Sequence, residues 1–318
     1  MRDQLAVVLA DYLTGQRGAP TLVLDVRRIT VGHSRAMYRV DTDAGTFVVR
    51  VEQGGVFGTS SAEEFGIMRA LDVAGYPVAT VRWYEPTGEV LGQPFFVMDF
   101  LTAAEAPDGN DERAMSATGA ADFVATLARL HALDWQRAEV PFALVPPTPN
   151  DAIHIQIERW AAIYRTSAPE PIPLLEEAAA WLHHYAPPLE RLSIVHGDAG
   201  PGNVVIADDR VVAVTDWEFA HLGDPAEDWS FCLAMRGVRT MDRDAWLALY
   251  ERAAGVTMSE QRWTYWEAFN LFKGACANRT CLTVFESGAN PAPNMAIIGT
   301  TLHQVFLRRL ATITTTPP

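Results

Sequence analysis

The sequence predicts an α+β chain of two lobes: an antiparallel sheet with one main helix, then a larger and mostly helical part. Three observations predict it. Segments of alternating apolar residues fill the region before Leu101. From Thr102 onward, long stretches with apolar residues at helical spacing take over. Among these helices lies a different block, Leu192 to Asp216 (LSIVHGDAGPGNVVIADDRVVAVTD), where three short β-branched segments alternate with polar joints. The expected division is therefore residues 1–101 and 102–318.

The elements follow in order. Leu5, Val8, Leu9 and Tyr12 recur at helical spacing, so an amphipathic helix opens the chain and ends near Gly15. Leu22 to Ile29, Met37 to Val40 and Thr46 to Val51 read as strands of an antiparallel meander, with Asp43-Ala44-Gly45 turning between the last two. In SAEEFGIMRALDVAG, Phe65, Met68 and Leu71 share a helical face and Gly75 closes it. Ser60–Glu63 and Ser61–Glu64 both have the spacing of a capping box. Pro77 to Tyr84 and Pro94 to Phe100 supply the remaining strands. In the second part, helices are expected at Glu112 to Leu133, Ala152 to Tyr164, Leu174 to Tyr185, Asp242 to Ala254, Ser259 to Cys281 and Pro293 to Thr312, stopped by Pro-rich joints. Trp246, Trp263, Trp266, Phe269 and Phe272 fall at helical spacing, which favours core packing over an aromatic cage for a cation.

Composition narrows the classes. The 318 residues are 49% hydrophobic and 20% charged, as in ordinary globular proteins. The net charge of −14 repels nucleic acid and anionic membranes, so neither is expected as a partner. Cys232, Cys276 and Cys281 form no CxxC pair and no His-spaced cluster, which fits a reducing compartment without a disulfide framework or zinc site. No apolar run approaches membrane-spanning length, and no basic stretch precedes a cleavage pattern, so a cytoplasmic chain is expected.

The polar joints of the Leu192–Asp216 block carry the chemistry. His196-Gly197-Asp198 follows the first strand, Asn203 precedes the second, and Asp216 follows the third. Two acids and one amide delivered from neighbouring strand ends can converge on one point. Phosphoryl transfer uses such a set: one carboxylate accepts the alcohol proton, while an amide and a second carboxylate hold Mg²⁺ on the phosphates. The protein-kinase catalytic loop likewise has Asp, four residues, then Asn, the separation of Asp198 and Asn203.

HGDAGPGN followed by DWEFAHLGDP resembles the aminoglycoside phosphotransferase and choline kinase-like family of small-molecule kinases, over nearly the whole chain. That family has HGDxxxxN where protein kinases have HRDxxxxN, and DxE or DWE in place of DFG. The resemblance implies a protein-kinase-like two-lobed fold, with Asp198 as catalytic base and Asn203 and Asp216 as Mg²⁺ ligands. The co-substrate would be ATP or GTP. Arg50 in FVVRVE stands where kinases carry the lysine that grips the phosphates, as in the branch resembling the kinase-like domain of acyl-CoA dehydrogenase fusion proteins. Glu64 would be its ion-pair partner. VGHSRAMYRV sits at the phosphate-covering loop, with Gly32 and Ser34 facing the nucleotide and Arg35 where relatives often have Asn. Backbone groups of Met98, Asp99 and Phe100 would meet the adenine. Glu218 lies two residues beyond the metal Asp. His196 and His131 are expected to brace rather than exchange protons, and Asp224 and Asp228 to hold loops and helix starts.

The expected activity is transfer of a γ-phosphoryl group to a hydroxyl of a small molecule, such as an aminoglycoside-like antibiotic. A nucleotide-binding pseudokinase without turnover is the alternative, favoured by Arg50 and the altered Gly32 loop. A protein kinase is further off, because HRD, DFG and an APE-type segment are missing. Acceptor identity and oligomeric state are not encoded in any motif.

Overall fold

The computed structural model describes residues 2–29, 35–52, 57–101, 115–235, 242–290 and 292–318. The chain divides into two units, Met1–Ala104 with Ala138–Pro141 and Val212–Glu218, and Glu105–Arg137 with Phe142–Val211 and Phe219–Pro318.

In the first unit, α1 (Arg2–Arg17) lays Leu9 and Leu13 against a five-stranded sheet. Its strands are β1 (Val23–Ile29), β2 (Arg35–Thr42), β3 (Gly45–Glu52), β4 (Val81–Glu85) and β5 (Phe95–Asp99). Neighbours pair antiparallel in the order β1-β2-β3-β5-β4. Two-residue alternation along a strand explains how this sheet serves two purposes. Phe47, Val49 and Val51 of β3, with Phe95 and Val97 of β5, join the cluster under α1. Arg50 and Phe96, which pair across β3 and β5, therefore point to the opposite face. There, α2 (Ser61–Val73) covers the sheet, and Phe65 packs on Phe96 with ring centroids 6.0 Å apart.

The expected capping ambiguity at α2 resolves in favour of Ser60. Its side chain accepts from the Ala62 N–H, while Ser61 begins the helix and Gly75 follows it at φ +75°. The strand expected from Pro77 is shorter, starting at Val81. Pro77 has no N–H for a ladder, and its carbonyl accepts from Val214 N at 2.8 Å instead.

The second unit is built around α8 (Glu260–Glu286), following α3 (Ala117–Ala132), α4 (Pro149–Ser167), α5 (Pro173–His184), β6 (Ser193–Val195), β7 (Val204–Ala207), β8 (Arg210–Val214, counted with the first unit from Val212 on), β9 (His221–Gly223), α6 (Ala226–Ser230) and α7 (Arg243–Ala254). After α8 come α9 (Pro293–Ile297), a π-helical turn Ile298–Leu302, and α10 (His303–Ile313). The single helix expected over Pro293 to Thr312 is thus interrupted. A Cβ at Gly299 would lie 2.5 Å from Leu282 Cβ, so the wider turn brings bare backbone against α8. The helix expected from Glu112 begins at Ala117, with the Ser116 hydroxyl accepting from Gly119 N; residues 112–114 lie outside the described set. Ser259 and Asp242 cap α8 and α7 in the same way. Trp246, Trp266, Phe269 and Phe272 are core residues, each with almost no exposed surface. Among the described residues, no helix is long and apolar enough to cross a membrane.

Phe96 fills the space between sheet and α2, so Phe96→Ala should lower stability by about 3–5 kcal/mol. Urea unfolding followed by fluorescence of the two proteins measures it.

Candidate active site

In the first unit the period-2 pattern of β3 sends a guanidinium into the interior. Arg50 is 5% exposed and must be neutralised there. Its Nε donates to Glu64 Oε2 at 3.1 Å, and Nη2 lies 3.0 Å from Glu64 Oε1. Nη2 also donates to Asp216 Oδ1 at 2.5 Å. Burial opposes the charge on Arg50, but Glu64, Asp216 and Glu218 outweigh it and push the guanidinium pKa up. Burial pushes the Glu64 carboxyl pKa up, against the opposing pull of Arg50. Asp216 reaches Arg50 from a left-handed backbone at φ +67°, a conformation Asp tolerates better than most residues.

A second buried guanidinium lies beside the first. Arg35 opens β2 and turns inward, with Nη2 donating to Thr59 Oγ1 at 3.0 Å and Nε 3.7 Å from Glu218 Oε2. Thr59 Oγ1 in turn donates to Glu218 Oε2 at 3.3 Å. From sequence, Arg35 read only as a departure within a loop. Alternation along β2 puts position 35 on one face with Met37, but Arg39 shares that face, so no local pattern marks Arg35 as buried.

Met98, Asp99 and Phe100 lie at the end of β5. The Asp99 N–H is given to Thr80 O at 3.0 Å and the Phe100 N–H to Thr46 O at 3.2 Å. These two donors are therefore committed to the sheet, and an adenine would need other backbone groups of this segment. Gly32 and Ser34 lie outside the described residues.

In the second unit, Asp198 and Asn203 are brought together. Asn203 Nδ2 donates to Asp198 Oδ2 at 2.6 Å and to Asp198 O at 2.9 Å. With the amide hydrogens directed at Asp198, the carbonyl Oδ1 is the atom Asn203 can offer a hard cation. The preceding turn is tight. Gly197 sits at φ +81°, and a Cβ there would lie 2.6 Å from Phe219 O.

Asp228 fixes this loop from below: its Oδ2 accepts from His196 N and its Oδ1 from Gly197 N, both at 2.8 Å. His131 Nε2 lies 2.9 Å from Asp228 Oδ2, so His131 and His196 are both bracing groups. Lys273, which the sequence reading passed over, donates to Gly197 O and, at 2.7 Å, to Glu227 Oε1. A lone lysine inside the apolar run of α8 was the available signal, because a buried ammonium requires partners. Burial opposes ionisation of Glu227, yet Lys273 and His221 outweigh it and lower its pKa.

The donor types suit Mg²⁺. This ion takes one or two protein oxygens and completes its shell with phosphate oxygens and water. The Asn203 amide and the Asp216 carboxylate are such donors. Among the described residues, no group of three His, Cys, Asp or Glu side chains could hold a metal by itself.

Burial opposes ionisation of Asp228, but hydrogen bonding to His131, the charges of His131 and His196, and the His196 N–H bring its pKa to about 2, from an ordinary 3.8. A depressed folded pKa gives stability that is present above 3.8 and lost as pH falls toward 2, worth about 2 kcal/mol. Asp228→Asn should flatten the acid limb of the stability profile in that window, as measured by denaturation at stepped pH.

The chain is 27% identical to mouse acyl-CoA dehydrogenase family member 10 over 294 residues, which is 84% of this chain and 27% of that protein. It therefore spans about a quarter of that relative's length. A candidate aminoglycoside phosphotransferase from Ralstonia eutropha superposes with a TM-score of 0.74 at 22% identity, over 97% of this chain and 98% of that one. Choline kinase LicA from Streptococcus pneumoniae, also solved in complex with AMP, superposes with a TM-score of 0.68 at 14% identity over 96% and 99%. These neighbours share the protein-kinase-like fold. Residues 25–269 match the model of the phosphotransferase enzyme family, APH, and this chain belongs to that family.

Proposed function

We propose that this chain transfers the γ-phosphoryl group of ATP or GTP to a hydroxyl of a small molecule. The observation that carries the reading is the interlocked Asp198–Asn203 pair, 2.6 Å apart on a loop whose backbone is held by Asp228 and Lys273. Asp198 accepts the proton of the acceptor hydroxyl and orients it in line with the γ-phosphorus. By the sequence motif, Asn203 and Asp216 would be the residues that hold Mg²⁺, which would supply charge neutralisation on the phosphate oxygens. Arg50, kept aligned by Glu64, directs its guanidinium at the phosphates, and bidentate geometry suits it for that task. Gly32 and Ser34 are assigned to phosphate binding from the sequence resemblance alone. The end of β5 around Met98 to Phe100 receives the adenine. Catalysis of this kind depends on positioning and electrostatics more than on covalent chemistry.

The AMP complex of the choline kinase neighbour supports a nucleotide co-substrate. Acceptors suggested by the neighbours are aminoglycosides and choline-like alcohols. An acidic chain favours cationic molecules of both types.

ADP or GDP release in the presence of Mg²⁺, measured against a panel of aminoglycosides, macrolides, amino alcohols and hydroxyacyl esters, tests the reading. Acceptor-dependent release is expected, with Asp198→Asn reducing it by about 100-fold or more at unchanged stability. Nucleotide binding without release for any acceptor would overturn the assignment of turnover and favour a pseudokinase.

A further inference from the structure

A cavity of about 480 Å³ opens in the second unit between α8, the N-terminal end of α5 and the π turn that precedes α10. Arg279 of α8 lines it, together with Gly299, Thr300 and Thr301 of the π turn and His303 and Gln304 of α10. Arg279 Nη1 is enclosed and makes no hydrogen bond, and among the described residues no carboxylate pairs with this guanidinium. Arg279 is partly exposed, but in a chain of net charge −14 acids are in excess, and the buried cations Arg35, Arg50 and Lys273 all have carboxylate neighbours. An enclosed guanidinium nitrogen left without an acceptor is costly, so the site is complete only when something supplies one.

The wall opposite Arg279 is unusual for a second reason. The five-residue π turn presents Thr300 and Thr301 where a regular helix would have continued, and it depends on the close approach of Gly299 to Leu282. Such turns recur at ligand sites because they redirect side chains without breaking the helix. His303 adds a neutral ring. Burial and the nearby Arg279 hold its pKa below the usual histidine range, against the pull of the Ala275 carbonyl on Nδ1. With Nδ1 directed at that carbonyl, Nε2 is left as an acceptor.

We propose that this cavity binds a small molecule bearing a carboxylate or a phosphate monoester, whose anionic group pairs with Arg279 and meets the Thr301 and Gln304 donors. The site is distinct from the catalytic loop. Lys273 reaches that loop, and residue 279 lies about 9 Å further along α8 and roughly 120° around its axis. The proposal therefore stands apart from the phosphotransfer reading.

Thermal unfolding in 20 mM inorganic phosphate, acetate or chloride at matched ionic strength tests it with the whole chain. The unmodified protein should gain about 2 °C in phosphate, in acetate or in both, relative to chloride. Arg279→Gln should keep its unfolding temperature in chloride and lose the gain. A gain in phosphate alone assigns a phosphate ester, and an equal gain in acetate assigns a carboxylate. Phosphate bound at the phosphotransfer centre would stabilise the variant as well, so an equal gain in both proteins overturns the proposal, as does no gain in the unmodified protein. If Arg279→Gln fails to fold, Thr301→Val replaces it, with a halved gain expected and an undiminished one overturning the assignment.

Discussion

A guanidinium removed from water has to be answered by carboxylates, and Arg50 imposes that condition on the first unit. The alternation of β3 fixes which face it occupies. Once there, it draws Glu64 of α2 inward and engages Asp216, whose backbone adopts a left-handed turn in reaching it. Arg35 extends the arrangement to Thr59 and Glu218. Each carboxylate thus has a fixed direction. A fully buried ion pair of this kind contributes little net stability, because desolvation offsets its attraction. Its worth lies in orientation, since the guanidinium and the carboxylates around it hold one another in a single geometry.

The second unit solves a related problem with backbone rather than charge. A loop that must present Asp198 cannot also form regular ladder bonds, so its N–H and carbonyl groups need other partners. Asp228 takes the N–H groups of His196 and Gly197, and Lys273 takes the Gly197 carbonyl. His131 and Glu227 then hold Asp228 and Lys273. The loop is therefore supported from α3, α6 and α8 at once, three elements far apart in sequence.

What could be read from sequence follows this distinction between local and distant partners. The strand–joint block from Leu192 to Asp216 was legible because its acids, amide and strands are adjacent in the chain. The sheet was legible because alternation is a local signal, and the Arg50–Glu64 pair because a resemblance supplied the distance between them. Lys273 and the inward turn of Arg35 were not, since Lys273 meets Glu227 46 positions away and Arg35 meets Thr59 24 positions away and Glu218 far beyond it, and no short pattern joins them. Pro77 shows the converse. Its apolar surroundings read as a strand, but its carbonyl is claimed by Val214, which no local pattern announces. The break within Pro293 to Thr312 escaped for a similar reason: the close approach of Gly299 to Leu282 is a packing event, not a periodicity.

Gly197 carries a consequence for how such a chain can change over time. Every other amino acid has a Cβ, and here that atom would meet the Phe219 carbonyl at 2.6 Å from a backbone already at φ +81°. The obstacle is main chain rather than the end of a flexible side chain, so no neighbouring substitution can clear the space. Relief would require moving the segment after Trp217 and the His196–Asp198 turn together. Drift at this position is thereby closed to single replacements. Change can proceed along helix surfaces and cavity walls while the turn before Asp198 keeps this one residue.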